Sequence, residues 1–72
     1  MKIKEGNYIK SPRMGVEGVV TAVTQLHKLD NTPLDIYRVN LFCVLDKTYP
    51  PNSGKNIRIR IDAQFWEVVS GV

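Results

Sequence analysis

Seventy-two residues, 43% of them hydrophobic and 24% charged, describe one ordinary globular domain and exclude a disordered tail, a fibre or a second domain. A chain this short buries only about 60% of the surface its unfolded form exposes, so its stability margin is thin. Ten Lys and Arg against seven Asp and Glu give a net charge of +3, which suits an anionic partner and serves plain solubility equally well.

Turn signals divide the chain at Gly6, at Ser11 to Gly15, at "DNTP" (Asp30 to Pro33), at "YPPNSG" (Tyr49 to Gly54) and at Ser70-Gly71. A first strand, "NYIK", enters after Gly6. The next run, "VEGVVTAVTQLHKL", resembles a helix in length, but Val19, Val20, Thr21, Val23 and Thr24 are β-branched and Gly18 would cost about 1 kcal/mol inside a helix. It is read as a long second strand, bent or bulged near Gly18. In "LDIYRVNLFCVL" the residues Tyr37, Val39, Leu41, Cys43 and Leu45 make one face apolar; the other begins polar with Arg38 and Asn40 and turns apolar at Phe42 and Val44. That third strand is expected to be covered on both faces toward its end. "NIRIRID" alternates Ile57, Ile59 and Ile61 with Arg58, Arg60 and Asp62, a period-two pattern that makes the fourth strand. Asp62 is placed to cap one helical turn over Ala63, Gln64 and Phe65, and "WEVV" supplies the fifth strand. The expected core gathers Val20, Tyr37, Val39, Leu41, Ile57, Ile59 and Ile61.

Five short antiparallel strands with no long amphipathic helix must cover themselves by curling into a small barrel. The glycine pattern fits: Gly6 before "NYIK", then Gly15 and Gly18 before "VV", resembles the spacing of KOW-type and related SH3-like small β-barrels, and "IDAQFWEVV" resembles their ending, a helical turn between the last two strands. The fold class is therefore all-β, a single five-stranded antiparallel SH3-like barrel over residues 1–72 with a short 3-10 turn before the last strand. The resemblance implies a non-catalytic module that binds RNA, DNA or protein through its first long loop and exposed strand faces. Asn7, where an acidic residue is common, and the long loop at Tyr49 to Gly54 depart from the KOW pattern.

Catalytic chemistry has little to work with. One cysteine, Cys43, and one histidine, His27, permit no internal disulfide and no Cys/His metal cluster. His27 has Asp30 nearby but no nucleophile beside it, and Cys43 sits on an apolar strand face that makes a thiol inert. Gly15 and Gly18 lack the Lys-Ser/Thr ending of a phosphate-binding loop, and the carboxylates are dispersed. The expectation is no enzyme, no cofactor, no metal and no small-molecule substrate. No apolar run nears the roughly 20 residues that span a bilayer, and the basic start "MKIKEGNYIK" has no apolar segment behind it, so the expected setting is cytoplasmic, away from membranes.

Binding remains, with two partner classes. For a protein partner, an accessory or regulatory role docking onto a larger complex, the candidates are Trp66, Phe65, Tyr49 and Pro50-Pro51, large apolar groups near turns. For nucleic acid, Lys10 and Arg13 in the first loop and Arg58 and Arg60 on the fourth strand are the phosphate contacts, with Tyr8, Tyr37 or Tyr49 as a stacking ring. "SPRMGVEG" is expected to be a corner first, with Gly15 and Gly18 in conformations a side chain opposes, leaving Pro12, Arg13 and Met14 free for a partner. An uncovered strand edge allows a monomer or a weak homodimer.

Overall fold

The structure, a computed structural model, describes residues 3–46 and 53–70. Five antiparallel strands run as β1 (Tyr8–Ser11), β2 (Val16–His27), β3 (Pro33–Asp46), β4 (Asn56–Asp62) and β5 (Glu67–Ser70), with a 3-10 turn at Ala63–Phe65 before β5. They form one sheet in the order β4-β3-β2-β1-β5. The all-β expectation and each of its elements are met, and the described strands pair as an open sheet with β4 and β5 at its edges.

Local chemistry explains the boundaries. Asp62 is extended and accepts a hydrogen bond from the Gln64 N–H at 3.2 Å, capping the 3-10 turn as its position before "AQF" requires. The β2–β3 hairpin closes through Lys28 N–H to Thr32 O and Asn31 N–H to Lys28 O, both 2.9 Å, with Asn31 at φ 66° and the Asp30 carboxylate accepting from Thr32 N–H. The bend foreseen at Gly18 is a register shift between Glu17 and Gly18 against β3. Gly18 is required there by close approach: a Cβ would run into the Phe42 carbonyl oxygen and lie 3.1 Å from the Cys43 Cα. Gly15 is required by its φ of 71°.

One face of the curled sheet holds the core. Ile9 from β1, Val16 and Val20 from β2, Tyr37, Val39, Leu41 and Cys43 from β3 and Ile61 from β4 are buried in one cluster with Ile3, Ala63 and Trp66. Each fully buried aliphatic contributes about 1.5–3 kcal/mol, so this cluster carries most of the fold's stabilisation. Ser11, at 1% exposure, is the polar member; its hydroxyl accepts from Met14 N–H at 3.3 Å and its carbonyl from Gly15 N–H at 2.8 Å, which turns the chain at the corner. Asn7 is buried too, and its side-chain oxygen accepts from the Lys4 N–H at 2.8 Å, stapling the entry turn.

Two expectations of burial are corrected. Ile57 and Ile59 only pack against the core, half-buried, because they lie on the outermost strand β4 and have a neighbouring strand on one side alone. The late part of β3 is not covered on both faces: Phe42 and Val44 are exposed, as is Leu45, since no described element lies over the outer face there. Beyond Val20 the β2–β3 hairpin still gives the core Val39 and Tyr37, with Val23 packed against it, and its tip carries the fully exposed Leu29.

Candidate functional site

The register separates the residues expected to act together. Lys10 lies on β1 and Arg58 and Arg60 on β4, with β2 and β3 between them, so the four basic candidates do not converge. Lys10 is also engaged. It pairs across the sheet with Glu17 on one side and Glu67 on the other, and its Nζ is 3.8 Å from the Glu67 carboxylate. Glu17 in turn accepts the Tyr8 hydroxyl at 2.7 Å; that hydrogen bond, then burial and the Glu17 charge, raises the Tyr8 phenol above its ordinary pKa. This end of the outer face is therefore not positive.

Arg13 sits with its guanidinium 4.5 Å from the centroid of the Phe65 ring, tying the corner to the 3-10 turn. Met14 next to it is half-exposed. Tyr49, with Pro50 and Pro51, lies outside the described residues. Trp66 is 6% exposed and belongs to the core, so little of it is presented to a partner. Tyr37 is likewise a core residue, its hydroxyl donating to Asp35 at 3.2 Å.

Arg58 and Arg60 gain a neighbour that sequence reasoning left out. Antiparallel pairing sets Arg38 of β3 directly opposite Arg60, and Asn40 directly opposite Arg58. The third row-mates are Thr24 and Ala22 of β2, which pair with Arg38 and Asn40. All three arginines are exposed on the outer face. Arg58 Nε donates to the Asn40 side-chain oxygen at 3.4 Å, and no carboxylate among the described residues forms an ion pair with any of the three arginines. Asp62, the acid nearest along β4, has both oxygens turned to Gln64, at 3.2 Å to its N–H and 2.9 Å to its side-chain amide. Like charges directly opposite one another oppose strand pairing, so this face holds an unbalanced positive potential at some cost.

The surface around the arginines is shaped as well as charged. Two shallow depressions meet at Asn40 and Arg58, one bounded also by Thr21, Asn56 and Ile57, the other by Ala22, Thr24 and Arg38. The signal for Arg38 was present in the polar start of β3's second face, but which β4 residue it meets depends on register, which alternation alone does not give.

Cys43 and His27 lie far apart along the β2–β3 hairpin. Cys43 is buried opposite Gly18, whereas His27 is exposed at the other end of the hairpin opposite Pro33. Among the described residues no three of His, Cys, Asp and Glu gather as metal ligands, and no helix is long and apolar enough to cross a membrane. Comparison with protein-family models, with curated proteins and with solved structures finds no match to this chain.

Proposed function

We propose that this chain is a non-catalytic binding module of the SH3-like small-barrel kind, working in the cytoplasm, which holds nucleic acid against the outer face of β2, β3 and β4. The barrel reading is supported by the strand order β4-β3-β2-β1-β5, the bulge at Gly18 and the 3-10 turn leading into β5. The function rests on one observation: Arg38, Arg58 and Arg60 share a face with no carboxylate among the described residues paired to them, and guanidinium groups are matched to phosphate oxygens. Titration of a labelled oligonucleotide against rising salt tests it. Three phosphate contacts give a log-log slope of about −2 to −3, and Arg58→Glu with Arg60→Glu abolishes binding. Absence of binding at about 50 mM salt, where phosphate contacts are strong, refutes the reading.

A second reading, docking onto a larger protein complex, is favoured by a different observation. Met14 and Phe65 are both close to half-exposed around the Arg13–Phe65 contact, an apolar patch with a fixed cation at its centre. In that case the corner, rather than the arginine face, carries the interaction.

A further inference from the structure

The arginine face runs into an aromatic ring. Phe42 stands on the outer face of β3, two residues from Asn40, and is 39% exposed. Its cross-strand neighbours are Val19 on β2 and Asn56 on β4, and Val19 pairs in turn with Tyr8. The depression between Thr21, Asn40, Asn56, Ile57 and Arg58 lies beside it. Thus successive rows of the outer face across β3 and β4 carry Phe42 beside Asn56, then Asn40 beside Arg58, then Arg38 beside Arg60.

Resting on the nucleic-acid reading, we infer that this strip takes a single strand and discriminates against a duplex. Each part has a distinct role. Phe42, 39% exposed, offers a ring to an unpaired base, a contact every base can make and one that a duplex, with its bases already stacked, cannot offer. Asn56, exposed opposite Phe42, offers a side-chain donor and acceptor to a base edge, while the Asn40 oxygen is engaged by Arg58 and leaves its amide N–H to donate. Arg58, with Arg38 and Arg60 one row further on, takes the phosphates. From Phe42 to Arg38 is four residues of strand, about 13 Å, a length that suits a few nucleotides of extended chain. A single aromatic on a sheet surface is unremarkable by itself; the inference comes from its continuity with amides and unpaired arginines on the same strands.

The test compares a labelled single-stranded oligonucleotide of about 12 nucleotides, within the usual range for one small barrel, with a hairpin duplex of the same length at about 50 mM salt. The single strand binds at least about tenfold tighter. Phe42→Ala weakens it by about 5- to 150-fold, the span found on removing one base-stacking ring, and leaves duplex binding where it was. Phe42→Trp retains single-strand binding, and its indole emission is quenched by the single strand and not by the duplex. Equal binding of both forms, with Phe42→Trp unquenched, overturns this inference while leaving the arginine face as a general phosphate site. No binding of either form overturns both.

Discussion

Arg38 and Arg60 face each other across β3 and β4 as a directly opposed like-charge pair, with no acid in the described structure to neutralise them. Replacing one of them separates stability from binding in a way few surface changes do. Arg60→Glu turns repulsion into attraction, so its urea midpoint should stay level or rise by up to about 1 kcal/mol of stability. The same variant should lose nucleic-acid affinity. A fall in both would mean that Arg60 supports the fold.

Core position, more than residue type, decides what the isoleucines of β4 contribute. Ile61 is 2% exposed and Ile59 only partly buried, so Ile61→Ala should cost about 2–5 kcal/mol and Ile59→Ala clearly less. Urea unfolding of the pair checks the order.

Trp66 now belongs with Ile61. Trp66→Ala should cost about 3–5 kcal/mol, which for so small a domain approaches the whole of its stability. A milder Trp66→Phe should fold and bind as the parent does, since the ring serves packing and not a partner. Weakened binding by a well-folded Trp66→Phe would return Trp66 to the interface.

Gly18 is constrained by the backbone of β3. Because any Cβ meets the Phe42 carbonyl, Gly18→Val should destabilise by at least about 1–3 kcal/mol, the usual cost of overpacking, and shift the β2–β3 register seen in amide exchange. At the neighbouring corner the opposite holds. Changing Arg13 and Met14 together to Ala removes an exposed cation–π contact of about 0.5–1 kcal/mol and should barely move the melting temperature.

The Tyr8 to Glu17 hydrogen bond carries a pH signature. A phenol whose folded pKa is raised contributes stability that is complete below its unfolded value near 10 and is lost as pH climbs past it. Tyr8→Phe should therefore flatten the loss of stability in alkaline solution. An unchanged alkaline limb would show that this bond does not persist in solution.

Much of this fold could be read from pattern. The Ile57, Ile59, Ile61 alternation, the β-branched run after Gly18 and Asp62 before "AQF" each act through local geometry, and each element lies where these residues put it. What escaped depends on neighbours in space. Alternation says which side Ile59 faces, but not that β4 is an edge with a partner on one side only. It marks Arg38 and Arg60 as outward, yet their meeting requires the β3–β4 register. Lys10 looked free until β1 acquired Glu17 and Glu67 as flanking neighbours. Trp66, beside a turn, suited either a partner surface or a place inside, and its membership of the core cluster decides for packing.

The most direct measurement of the central claim is amide chemical-shift mapping with a short single-stranded oligonucleotide at low salt. Perturbation should concentrate on Thr21, Arg38, Asn40, Phe42, Asn56, Arg58 and Arg60, the residues of the outer strip. Shifts gathered instead around Ser11 to Gly15 and Phe65, or no shifts at all, would contradict it.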